Sequence, residues 1–132
     1  LMFIDGIAGI TLYRKKPYQV QLFICEPNTV ITEHAHKNID SYEIFLYGME
    51  ISHKGRIIID KRMSMLEKNN LPRFSSSALR IRPNELHSGK ASDKGSSFIS
   101  IQKWLNNINP SHVSKDWVGK PLGNKHKKQL NE

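Results

Sequence analysis

The sequence predicts an all-β fold, an antiparallel β-barrel or two-sheet sandwich built from about seven short strands. Three observations carry this reading. Hydrophobicity alternates with a period of two in several segments. Turn residues separate those segments, among them Pro27-Asn28, Gly48, Lys54-Gly55 and Pro83-Asn84. No helical pattern of about ten residues lies between them, which argues against a parallel α/β fold. Helix is expected in under about a fifth of the chain, against an average near a third.

The first clear strand is Tyr18 to Ile24, with apolar side chains at even positions and Gln19 and Gln21 on the other face. Pro27-Asn28 turns the chain into a second strand, Thr29 to His36, whose even positions are Val30, Thr32, His34 and His36. After the polar link Lys37 to Asp40 comes Ser41 to Tyr47, rich in aromatic and β-branched residues and ended by Gly48. Met49 to His53 and Arg56 to Asp60 form a hairpin around Lys54-Gly55, where glycine supplies the positive φ of a tight turn. Residues 61–76 have no clear period; Met63, Met65 and Leu66 suit a helical turn, whereas Asn69-Asn70, Pro72 and Ser75-Ser76-Ser77 favour loop. Ala78 to Arg82 is a short strand stopped by Pro83-Asn84, and Ser97 to Trp104 alternates again after a polar turn at Lys90 to Gly95. Residues 1–106 therefore read as one β-barrel domain. Residues 107–132 read as an irregular basic arm that packs on the barrel or on a neighbour through Trp117.

The 132 residues suit one domain. Hydrophobic residues make up 38% of the chain and the mean hydropathy is -0.51, values that fit a soluble globular protein and exclude a disordered one. The longest apolar run, near Leu22 to Cys25, is far too short to span a membrane, and no signal peptide is visible. Cys25 is the only cysteine. An intrachain disulfide and thiolate metal clusters are thereby excluded, and a reducing, cytoplasmic setting is expected with Cys25 as a buried small hydrophobe. The net charge is +8. Residues 120–128 hold four lysines and no acid, but no interleaved aromatics, so they read as a solvated tail rather than a nucleic-acid surface. An anionic small molecule is the favoured partner of so basic a chain.

His34 and His36 are one residue apart, so on a strand both imidazoles share a face, about 7 Å apart along the chain. If the link after His36 closes a hairpin that sets His36 opposite Ser41, Glu43 lies opposite His34 and points to the same interior. His87 follows a strand that ends in proline and closes the site from the other side. Burying two or three imidazoles without a purpose is costly, which favours a metal centre.

His34-Ala35-His36, followed by an acid and then by Gly48, resembles the first motif of the cupins: His-x-His, three or four residues, Glu, six residues, Gly. Arg82-Pro83-Asn84-Glu85-Leu86-His87 resembles the second. The resemblance spans about residues 18–104. It implies a double-stranded β-helix barrel (a jelly roll) that holds a divalent metal on His34, His36, His87 and a carboxylate, and it makes a homodimer the expected state. The family's glutamate position falls on Ser41 in this chain; Glu43 keeps the inward parity and Asp40 is the alternative. The second motif carries Glu85 where a glycine is usual and is one residue short before His87. A site of three histidines alone therefore stays open.

Tyr47 follows Glu43 with inward parity and could touch a ligand. Arg80 and Arg82 share one strand face and form either a solvated surface or an anion clamp. His53, His112 and His126 read as surface residues. The resemblance implies Fe, Mn, Zn or Ni as the metal and dioxygenase, isomerase or decarboxylase chemistry on a small oxygenated, anionic substrate. A non-enzymatic metal- or ligand-binding or sensor module is the alternative. A metal-free isomerase with a His and Tyr pair fits the dense histidine cluster poorly.

Overall fold

The computed structural model describes residues 1–61 and 77–132. The helical turn considered around Met63–Leu66 lies outside the described residues. Eleven strands are present among the described residues: β1 (Met2–Ile4), β2 (Ile7–Lys15), β3 (Tyr18–Cys25), β4 (Val30–His36), β5 (Ile39–Tyr47), β6 (Met49–His53), β7 (Arg56–Lys61), β8 (Ser77–Ile81), β9 (His87–Ala91), β10 (Ser96–Trp104) and β11 (Trp117–Gly119). One short α-helix, α1 (Asn124–Leu130), is found among the described residues. A six-stranded sheet has the order β1-β2-β3-β10-β5-β8, and a five-stranded sheet the order β11-β4-β9-β6-β7. All their pairings are antiparallel. Ile7, Cys25, Phe45, Met49, Ile51, Ala91 and Phe98 form the apolar core between the sheets. The hairpin at Lys54-Gly55 is present, with positive φ at both turn residues.

Three expectations need correction. The first is the β4–β5 hairpin. Strand β4 pairs with β9 and β11, whereas β5 lies in the other sheet between β10 and β8. The link after His36 carries the chain across the barrel and is pinned there: the Asn38 N–H donates to Asp116 and the Asn38 carbonyl accepts from Leu105 N–H. The second is the face of β4. Its register against β9 slips by one residue between Ile31 and His34. This bulge puts Ile31, not Val30, in phase with the inward histidines; Val30 is 53% exposed.

The third correction inverts strand β3. Gln19 and Gln21 are buried, while Ile24 on the supposed inner face is 44% exposed. Paired residues across adjacent strands point the same way, so the inner face of the six-stranded sheet falls into rows. Phe23, Phe98 and Phe45 make an aromatic row; Gln21, Ser100 and Glu43 a polar one; Gln19, Gln102 and Ser41 another. The outer face holds the opposite rows, Leu22, Ile99 and Ile44, then Val20, Ile101 and Tyr42. Hydrogen bonds allow the inversion. Gln102 donates to Gln21 and Ser100 and accepts from Gln19 and Trp104, and Gln19 donates to the Ser111 carbonyl. A buried amide with its partners supplied costs little.

The chain after residue 107, read as irregular, contains β11 and α1. Strand β11 extends the five-stranded sheet, pairing Trp117 with His36 and Gly119 with His34. A Cβ at Gly119 would lie 2.5 Å from the Glu33 carbonyl oxygen, so only glycine lets the two strands approach. Gly48 is under the same constraint where β5 passes into β6: its φ is 75° and a Cβ would overlap the Gly95 carbonyl. Gly48→Ala should therefore cost at least about 2 kcal/mol of unfolding free energy. Denaturant titration checks this, and a loss under about 0.5 kcal/mol would contradict the contact.

Candidate functional site

The structure brings His34, His36 and His87 together. One ring nitrogen from each lies within 4.8 Å of the other two, and this is the group of three or more potential metal ligands among the described residues. Antiparallel pairing does the work: His87 on β9 stands directly opposite His34 on β4, and His36 follows two residues later on the same face. Ring centroids are 4.1 Å apart for His34 and His87 and 5.1 Å for His34 and His36.

Each imidazole is held by its Nδ1. His34 Nδ1 lies 2.7 Å from the Thr32 carbonyl, and His87 Nδ1 lies 3.0 Å from the Glu85 carbonyl. His36 Nδ1 lies 3.0 Å from an Asp116 carboxylate oxygen and 2.9 Å from the Ser114 hydroxyl. An acceptor on Nδ1 fixes the ring and leaves Nε2 as the ligand atom, the usual outer-shell arrangement of metal-binding histidine. Burial, reinforced by the neighbouring imidazoles, pushes His34 down to about 2. His87 is lowered to about 4, again first by burial. Both are neutral at physiological pH, the form that binds metal. The donor set thus fits a divalent ion.

The C-terminal segment completes the site. Trp117 stacks on His34 with centroids 3.7 Å apart and planes 6° from parallel, and His126 meets Trp117 edge-on at 4.5 Å. His126, expected at the surface, is only 3% exposed; its Nδ1 accepts from Leu122 N–H, and its backbone N–H donates to Asp5. Asp116 and Ser114 were not singled out in the sequence, because a lone acid or serine in a polar tail carries no periodicity. Glu85 also earns a role. It accepts from the Arg82 N–H and from Lys54, and lies 3.1 Å from His53 Nε2. The turn that carries His87 is thereby tied to the β6–β7 hairpin. The Arg82 N–H, followed by Lys54 and His53, holds the Glu85 carboxyl down at about 2.

Glu43 is not in the histidine cluster. It reaches the same cavity from the six-stranded sheet. Its Oε1 accepts from Ser100 at 3.0 Å and, more weakly, from Ser41 at 3.4 Å, and Oε2 is buried without a protein partner among the described residues. Burial pushes this carboxyl up to about 7 against the two serine hydrogen bonds. Asp40 faces outward in an ion pair with Arg80. Arg80 and Arg82 are exposed and do not line the cavity. Tyr47 does not line it either, because the register between β5 and β10 slips after Phe45 and turns Tyr47 to the other face. The cavity is about 160 Å³. No lysine or arginine lines it among the described residues, so the positive charge of the chain lies elsewhere.

The shifted carboxyl gives a pH test. A carboxyl raised in the fold contributes stability below its ordinary pKa of 4.5 that is lost as pH rises through about 7. The two depressed histidines act oppositely, losing stability as pH falls from 6.5. Glu43→Gln removes only the first effect. In metal-free protein it should raise stability by about 3 kcal/mol at pH 8, falling below about 1 kcal/mol near pH 5. Denaturant melts at both values check this, and a pH-independent difference would contradict it.

No protein-family model matches the chain, and no curated protein does. Solved structures do match. KdgF from Halomonas sp. aligns with a TM-score of 0.63 at 16% identity, over 81% of this chain and 86% of that one. An RmlC-like cupin from Shewanella frigidimarina aligns with a TM-score of 0.60 at 10% identity, over 80% and 83%. A conserved protein with a double-stranded β-helix domain from Klebsiella pneumoniae gives 0.56 at 13% identity, over 87% and 86%. Identities this low speak to fold, and the two facing antiparallel sheets agree with them: the chain has the double-stranded β-helix fold of the cupins.

Proposed function

We propose that the chain is a metal-dependent enzyme that moves a proton on a small oxygenated molecule, in an isomerase- or decarboxylase-type reaction. The observation that supports this most is the pairing, inside one cavity, of a three-histidine cluster with a carboxyl that titrates near neutral pH. His34, His36 and His87 would hold Fe, Mn, Zn or Ni, all of which accept imidazole. Bound there, the ion would supply a Lewis acid and open positions for a substrate oxygen. An anionic end of the substrate would be met there rather than by Arg80 or Arg82. Glu43 would take or give the proton at Oε2, with the Ser41 and Ser100 hydroxyls fixing Oε1. The aromatic row and Trp117 would keep water out. Asp116 would position His36. The reducing, cytoplasmic setting stays part of the proposal and rests on the lone, buried Cys25. No helix among the described residues is long and apolar enough to cross a membrane.

Competition with a chromophoric chelator should show tight zinc binding by the parent. The His34→Ala, His36→Ala double variant should lose it while keeping a folded β spectrum, and Asp116→Asn should weaken it by about 10- to 100-fold. Proton transfer is tested in D₂O with metal-loaded protein and a panel of 2-keto and 2-hydroxy acids, following loss of the α-proton by NMR. Exchange should depend on the metal, titrate with an apparent pKa at or below about 7 and vanish in Glu43→Gln. Zinc binding without exchange on any probe would favour the non-enzymatic binding module.

We also propose a homodimer. The edge of β4 is covered by β11 of the same chain, so the support comes from the outer face of the six-stranded sheet. That face presents Val20, Leu22, Ile99, Ile101, Ile44 and Tyr42 as continuous rows. Light scattering should give twice 15.2 kDa, and Ile99→Lys with Ile101→Lys should give the monomer; a monomeric parent at micromolar concentration would contradict this.

A further inference from the structure

We infer that the row Gln21, Ser100 and Glu43 is a recognition site for a hydroxyl group on the bound molecule, on the cavity wall opposite the histidines. Two atoms carry the inference. Gln21 Nε2 and Glu43 Oε2 are buried, and neither has a hydrogen-bond partner among the described residues. Both side chains line the cavity, and Gln21 is only 2% exposed. They flank Ser100 in one cross-strand row, so they face the same space. Their other polar atoms are already used: Gln21 Oε1 accepts from Gln102, and Glu43 Oε1 accepts from Ser100.

The chemistry of the two free positions specifies the ligand group. The amide nitrogen can only donate, and an ionised carboxylate oxygen can only accept. A hydroxyl does both at once, accepting from Gln21 and donating to Glu43. A carboxylate or phosphate would be repelled by Glu43, and an ether or ketone would leave Oε2 unpaired, which is costly in a dry site. On one side the neighbouring row is Phe23, Phe98 and Phe45, so a carbon placed there meets an apolar wall, and on the other side it is Gln19, Gln102 and Ser41. Size agrees: the cavity is about 160 Å³, and a cavity of about 150 Å³ holds a six-membered carbon ring. The ligand class is therefore a small alcohol with an apolar body, able to reach the histidines with a second oxygen. The inference rests on reading this cavity as the ligand site, and it adds the group recognised away from the metal.

Cyclohexanol and its methyl ether are the probes, titrated by NMR into metal-free and zinc-loaded protein at pH 8.5, where Glu43 is ionised. The ether accepts but cannot donate. The alcohol should bind the parent roughly three- to tenfold tighter than the ether in both forms. That preference should disappear in Glu43→Leu. Gln21→Met, the milder change, should weaken both probes. Zinc affinity should be unaltered in both variants, which separates this site from the histidine cluster. Equal binding of alcohol and ether, no binding of either, or a preference that survives in both variants would overturn the inference. Loss of zinc binding in Glu43→Leu would also overturn it, by making Glu43 part of the metal centre. Failure of the parent to bind zinc, with the alcohol preference intact, would sink the metal reading alone.

Discussion

Three imidazoles packed into one corner of the cavity are the constraint on which the site depends. Left to themselves, such rings would rotate, hydrate or protonate, and the corner would open. Each is stopped by an acceptor on Nδ1, and the three acceptors come from distant parts of the chain: the Thr32 carbonyl on β4, the Glu85 carbonyl before β9, and the Asp116 carboxylate before β11. Much of the remaining architecture serves these contacts. The Pro83-Asn84 turn is tied down by Glu85, the chain crossing at Asn38 is tied to Asp116, and Trp117 covers His34. The C-terminal segment is in this sense a wall of the site. Asp116 itself stays ionised: burial opposes its charge, but the His36 contact and the Asn38 N–H outweigh it.

Opposite that corner stands a sheet whose polarity is inside out. Polar side chains on an inner face are tolerable only when they satisfy one another, and here Gln19, Gln21, Gln102 and Ser100 do so in a chain that reaches Trp104 and the Ser111 carbonyl. The network stops at two atoms that face the cavity, Gln21 Nε2 and Glu43 Oε2. Inner polarity also explains the outer apolarity: strands of period two must put Val20, Leu22, Ile99 and Ile101 somewhere, and the register sends them outward.

Much of the fold was legible in the sequence because the alternation is strong in Tyr18–Cys25 and Ser96–Trp104 and because the turn residues are explicit. The short strands β1, β9 and β11 were not, since three to five residues are too few to show a period. Alternation also says which residues share a face, never which face is buried; Gln19 and Gln21 were placed outward for want of any view of Gln102 and Ser100. Two bulges, in β4 after Ile31 and in β5 after Phe45, each flipped a parity that the sequence could not show, and they moved Val30 and Tyr47 away from the cavity. The histidine cluster was legible because His-x-His needs only two-residue parity within one strand, downstream of the bulge. Glu43 was placed inward for the wrong geometric reason: its strand lies in the opposite sheet, so it faces the histidines across the cavity instead of standing beside them.

The central claim is that one divalent ion binds on three imidazoles through Nε2. A crystal of the zinc-loaded protein, measured on both sides of the zinc absorption edge, tests it directly. The account predicts a single strong anomalous peak about 2.0–2.1 Å from Nε2 of His34, His36 and His87, with each Nδ1 still on its acceptor. A peak bound through Nδ1, a peak on Glu43 with fewer than three histidines, or no peak in the cavity would contradict it.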